Sequence, residues 1–149
     1  MAKGKKLPPR RLAREWALQF LYQFDVRKAE FEQDDLDIFW SQLKLSPSIP
    51  KEKVFEIAHI YANELIEGVL SHIEDFDATL QNLSSNWSLE RMPVTDRNIL
   101  RVGMYELLHT EVPPDAVINE AVEISKAFGE KDSPSFINAI LDQINKAHN

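Results

Sequence analysis

The chain has 149 residues, 44% hydrophobic and 28% charged, the balance of a globular protein with one domain or two small lobes sharing a core. It contains no cysteine, which excludes a disulfide scaffold, a thiolate metal site and a thiol nucleophile. No apolar run approaches the roughly 20 residues of a membrane span, and the basic start lacks a signal peptide's apolar stretch, so no membrane contact is expected and the expected location is the cytoplasm.

The net charge of −7 hides an asymmetry. Residues 1–14 carry Lys3, Lys5, Lys6, Arg10, Arg11 and Arg14 and no acid, whereas the other 135 residues carry 11 basic and 24 acidic groups. A whole-surface polyanion binder is excluded by that acidic body, but a local basic arm remains compatible with nucleic acid. The same arm also fits a solubilising, frayed terminus.

Helical spacing runs through the chain. Pro8 and Pro9 precede a helix over about 10–26, with Ala13, Trp16, Ala17, Phe20, Leu21 and Phe24 on one face. Arg11, Glu15 and Gln19 lie opposite. Arg10, Arg14, Leu18 and Tyr22 form a boundary stripe that could combine charge with an aromatic face, although tyrosine there also suits a half-buried core position. Because the three arginines flank the apolar stripe, their replacement is expected to leave the fold intact.

A short helix over about 34–44 buries Leu36, Phe39, Trp40 and Leu43, and Ser46-Pro47-Ser48-Ile49-Pro50 breaks the chain. The next helix, about 51–73, puts Val54, Ile57, Ala58, Tyr61, Leu65 and Val69 inward. Asp75 is expected to cap a helix carrying Phe76, Leu80 and Leu83. After a turn-rich bridge over 86–95, a helix over about 95–109 shows Ile99, Leu100, Gly103 and Leu107 on one side. Mid-helix Gly103 costs about 1 kcal/mol against alanine, which points to a close helix–helix approach. Pro113-Pro114 opens a helix over about 115–128, expected to end on a left-handed Gly129. Ser133 as cap and Pro134 in the first position start the last helix, which buries Phe136, Ile137, Ile140, Leu141 and Ile144. The fold class is all-α, with about seven helices in a single domain over 1–149 and a basic arm over 1–9.

Motifs for catalysis or cofactors are not found. His59, His72, His109 and His148 show no three- or four-residue spacing, and there is no phosphate loop or nucleophile elbow. Glu120 with Glu123, and Glu64 with Glu67, read as solvated helix faces. The expectation is therefore no catalytic residue, no metal and no cofactor.

Two blocks carry a resemblance. The first is Arg10-Arg11-Leu12-Ala13-Arg14-Glu15-Trp16-Ala17-Leu18-Gln19-Phe20-Leu21-Tyr22. The second, from Asp96 to Asp142, contains Arg97, Ile99-Leu100-Arg101, Tyr105-Glu106-Leu107, Val112-Pro113, Ile118-Asn119-Glu120-Ala121, Ala127-Phe128-Gly129, Asp132-Ser133 and Phe136-Ile137-Asn138-Ala139-Ile140-Leu141-Asp142. Together they resemble the bacterial transcription antitermination factors of the NusB family, while residues 27–90 match only in being helical. The resemblance implies two small antiparallel helical bundles and a role in ribosomal RNA transcription. It implies binding of box A leader RNA with NusE, a small-subunit ribosomal protein, and assembly with other Nus factors on RNA polymerase. The alternative is a protein–protein adaptor with negligible RNA affinity of its own.

The resemblance also implies site residues. Arg10, Arg11, Arg14, Tyr22, Arg97 and Phe136 match RNA-contacting positions, and Asp96 and Asp132 match partner-binding ones. Simpler roles compete: Asp132 as a helix cap, Phe136 as core, Arg97 as partner of a nearby acid. Asp96-Arg97 replaces the family's common Glu-Lys, Ala139 replaces a glycine, and Ser135 stands where many relatives have a lysine, which removes one positive charge from the expected RNA track.

Overall fold

A computed structural model describes residues 8–28, 30–83 and 88–148, so the basic arm before Pro8 lies outside the described residues. The described residues form seven α-helices, one 3₁₀ turn and no strand. The helices are α1 (Pro9–Arg27), α2 (Gln33–Leu43), α3 (Glu52–Ser71), α4 (Ile73–Leu83), α5 (Val94–His109), α6 (Pro114–Phe128) and α7 (Ser133–His148). No described helix is long and apolar enough to cross a membrane.

Two cores divide the helices into two bundles. In the first, α1, α2 and α3 enclose Trp16, Phe20, Phe39 and Trp40. These rings meet edge to face, with centroids 5.6 Å apart for Trp16–Trp40 and 5.5 Å for Phe20–Phe39, the geometry ring quadrupoles prefer. Ala13 and Ala17 on α1, with Ala58 and Ala62 on α3, are fully buried and leave room for two helices to lie close. In the second bundle, α4 to α7 pack around Leu80, Leu100, Met104, Val117, Ile137 and Leu141.

Helix α5 joins the two. It is buried on nearly every side, so the single apolar face expected from its spacing describes only the half turned toward α7. Leu18 of α1 reaches the second core, and Val102 of α5 reaches the first. Gly103 does mark a close approach: a β-carbon there would lie 3.0 Å from Leu141 Cδ1.

Several local expectations change. Gly129 has φ −97° and ψ −170°, an extended conformation rather than a left-handed one. Its lack of a side chain serves packing, because a β-carbon would lie 2.7 Å from Ser133 Oγ and 2.8 Å from the Ser125 carbonyl oxygen. Asp75 does not cap α4 but sits in its first turn, since only His72 separates α3 from α4 and its carbonyl already accepts the Phe76 N–H. Ile57 is 50% exposed, because α3 turns Ala58, Ala62, Leu65, Ile66 and Val69 inward. Ser133 is the first residue of α7 rather than its cap.

Candidate nucleic-acid interface

Helices α1 and α5 run antiparallel, and charged side chains fasten both ends of their packing. At the start of α1, Arg14 donates two hydrogen bonds to Glu106 of α5, at 2.8 and 2.9 Å. The pair is buried, with side chains 6% and 2% exposed. Tyr61 of α3 donates its hydroxyl to the same Glu106 carboxylate. Burial and that neighbouring negative charge push the Tyr61 hydroxyl pKa well above its ordinary value. Glu120 of α6 closes the cluster, accepting from Arg11 Nε and Nη2, both at 2.6 Å, and from Arg14 Nη1 at 3.0 Å.

At the other end, Asp25 of α1 accepts from Arg97 Nε at 2.6 Å, Arg97 Nη2 at 2.7 Å, Arg101 Nη1 at 2.9 Å and Asn98 Nδ2 at 3.0 Å. Arg101 also grips Asp77 of α4 with two bonds of 2.8 Å. Burial alone would raise the Asp25 carboxyl, but the hydrogen bonds from Arg97 and Asn98 and the Arg101 charge outweigh it and hold the group below its ordinary value. Among the described residues no buried side-chain nitrogen or oxygen lacks a partner, so both clusters are fully satisfied.

This geometry separates the expected RNA residues. Arg14 and Arg97 are spent on internal ion pairs, and Arg11 is held by Glu120. The expectation that all three α1 arginines are replaceable without loss of fold is corrected for Arg14, whose removal strands a buried carboxylate. Arg10 is exposed, has no carboxylate partner among the described residues, and lies over the Tyr61 ring at 4.9 Å. Tyr22 is 44% exposed. The stripe joining them is not a continuous open face, because Arg14 and Leu18 pass beneath α5 and leave charge and aromatic surface at opposite ends of α1.

Asp96, Asp132 and Phe136 do converge. They line a cleft of about 570 Å³ between the start of α5 and the start of α7, together with Arg91, Met92, Pro93, Glu130 and Ser133. Ser133 fixes its floor, accepting from the Glu130 N–H at 2.9 Å and donating to Asp96 Oδ1 at 2.7 Å. Burial pushes the Asp96 carboxyl up, the Ser133 hydrogen bond pulls it back and Glu130 adds to the rise. Asp132 and Ser135 are exposed, and Phe136 is half-buried against the second core. The backbone carbonyl of Asp132 accepts the Phe136 N–H, so Asp132 stands at the helix start as a capping position would.

The residues missed by sequence reasoning are the acids that hold these arginines: Asp25, Asp77, Glu106 and Glu120. Glu106 carried a signal, since it is set between Met104-Tyr105 and Leu107-Leu108 and no solvated face runs through it. Glu120 did not. Its spacing to Glu123 is that of an exposed face, and that reading is corrected for Glu120 while Glu123, paired with Lys126, does face solvent. Among the described residues no cluster of three or more histidines and carboxylates could hold a metal ion.

Two helical bundles sewn together by buried ion pairs, with arginines at the start of α1 and an acidic cleft lined by Phe136 between the starts of α5 and α7, define the class: a two-bundle all-helical protein. The NusB family model matches residues 11–146. A transcription antitermination protein NusB from Anaeromyxobacter sp. (strain Fw109-5) is 43% identical over 133 residues, 89% of this chain and 86% of the relative. Another from Bdellovibrio bacteriovorus is 41% identical over 145 residues, 96% of this chain and 99% of the relative. Among solved structures, T. maritima NusB superposes with a TM-score of 0.75 at 34% identity, covering 95% of this chain and 92% of that one. The crystal structure of antitermination factors NusB and NusE in complex with dsRNA contains a chain that superposes with a TM-score of 0.74 at 26% identity, covering 95% of this chain and 99% of that one. The chain belongs to the NusB family of transcription antitermination proteins.

Proposed function

We propose that this protein acts in the cytoplasm as an antitermination factor for ribosomal RNA operons, binding box A leader RNA together with NusE and joining other Nus factors on RNA polymerase. The observation that carries the RNA reading is the placement of positive charge. Three lysines precede α1, and Arg10 is the one arginine of its first turns left without a carboxylate partner among the described residues. Phosphate neutralisation needs positive charge, and residues 1–14 carry six cations and no acid on an otherwise acidic chain. Tyr22, at the far end of α1, offers a stacking face about 18 Å along the helix axis.

The cleft suits a protein partner. Glu130 and Asp132 give it a negative rim over buried Asp96, against which Arg91 is the one cation of its lining, and this favours a basic segment over a phosphate. Phe136 at its edge supplies an aromatic surface for a base or an apolar side chain. Arg14 and Arg97 contribute chiefly by holding α1 in register with α5.

The test is binding of box A RNA and a scrambled control, with and without NusE, across a salt series. The expected result is salt-dependent binding of box A RNA, tightened by NusE. Alanine at Lys3, Lys5, Lys6 and Arg10 should flatten the slope of log affinity against log salt by about 0.7 for each phosphate no longer neutralised. Retention of full affinity and slope in that variant would refute the assignment of the arm. RNA binding seen only in the presence of NusE would favour the adaptor role.

A further inference from the structure

Arg11 is surrounded by acids. Its guanidinium donates two bonds of 2.6 Å to Glu120, and Glu15 and Glu123 add their charges nearby. Both partners of the pair keep access to water, with side chains 23% and 26% exposed. A carboxylate and a phosphate present the same oxygen fork to a guanidinium, so they compete for it. A second observation sets Glu120 apart from an ordinary surface acid. Its carboxylate also accepts from buried Arg14, which has its main partner in Glu106, so the latch is anchored from behind and Arg11 is the member free to leave. Arg14 would still be satisfied by Glu106 after Arg11 swings out.

We infer that Glu120 is an internal phosphate mimic that holds Arg11 closed against α6 and sets the RNA affinity of the α1 end, with an RNA phosphate displacing it on binding. The inference rests on the RNA-binding reading of α1. Arg11 is then a switched cation, whereas Arg10, with no carboxylate partner among the described residues, is a standing one. The latch weakens binding to any polyanion. In exchange it discriminates, since a ligand must place a phosphate close enough to Arg11 to outcompete a preformed bidentate partner.

Glu120→Gln keeps the shape and one acceptor for Arg14 while removing the competing charge. Because Arg11 reaches the phosphate in both proteins, single-stranded box A RNA should bind E120Q severalfold more tightly, up to about fivefold, the worth of a part-exposed ion pair, with the salt slope little changed. The increase should vanish in the Arg11→Ala background. Glu123→Gln, which removes the same charge next door without touching Arg11, should reproduce little of it.

An unchanged affinity in E120Q, an equal increase without Arg11, or an equal increase from E123Q would overturn the inference. Thermal melts confirm that each variant is folded. The wild type gives an independent reading, because the Arg11 Nε–H resonance should shift when RNA is added, and an unmoved resonance in a saturated complex would also overturn it. Absence of salt-dependent RNA binding in the wild type and all variants would instead remove the RNA reading on which the inference stands.

Discussion

Arg14→Ala should be the most damaging of the arginine substitutions on α1, and its effect should be on stability. The side chain is 6% exposed and that of Glu106 2%, so truncation leaves a carboxylate sealed between α1, α3 and α5 with the Tyr61 hydroxyl as its remaining donor. Breaking a buried pair from one side costs about 3–5 kcal/mol, because the abandoned charge is neither solvated nor paired. At about 2–4 °C per kcal/mol for a domain of this size, the melting temperature should fall by about 6–20 °C. Arg11→Ala removes a pair about a quarter exposed and should cost no more than about 1 kcal/mol. Urea and thermal unfolding followed by circular dichroism measure all of these. Adding Glu106→Gln to Arg14→Ala removes the stranded charge and should recover most of the loss. A loss under about 1 kcal/mol for Arg14→Ala, or no recovery in the double variant, would show that water reaches Glu106 and that the seam is not a buried ionic lock.

Asp25 titrates lower in the folded protein than the unfolded value of about 3.9, so its contribution is complete above that pH and fades as pH falls through the folded value. Asp25→Asn should lower stability at pH 7 and flatten the acid-side decline, as a pH series of urea midpoints would show. Gly103→Ala should destabilise by up to about 2 kcal/mol, since overpacking fully buried Leu141 costs about 1–3 kcal/mol and improved helix propensity returns about 1. A stabilised Gly103→Ala variant in the same assay would mean that Leu141 moves freely. Tyr22→Leu should weaken box A RNA binding by about 1–3 kcal/mol with little change in melting temperature, because the ring is exposed and packs no core. The reverse pattern, a lower melting temperature with intact RNA affinity, would make Tyr22 a structural residue.

The order and extent of the helices lay in the sequence, because prolines at 9, 114 and 134 and the Ser46–Pro50 breaker act through local backbone geometry and apolar spacing acts through a fixed helical period. The family resemblance singled out Asp96, Asp132 and Phe136 one by one, and only the folded chain brings them to one cleft. What the sequence could not determine was which charges face water. Arg10, Arg11 and Arg14 are the same chemistry within two turns of one helix, yet one is open, one is latched and one is buried. The difference is made by Glu120, more than a hundred residues away, and by Glu106, which is buried although charged. Helical periodicity sorts residues by hydrophobicity and does not register a carboxylate that a distant helix delivers. Only packing α1 against α5 and α6 brings those acids within reach, and that packing decides which cations fold the protein and which are left to bind.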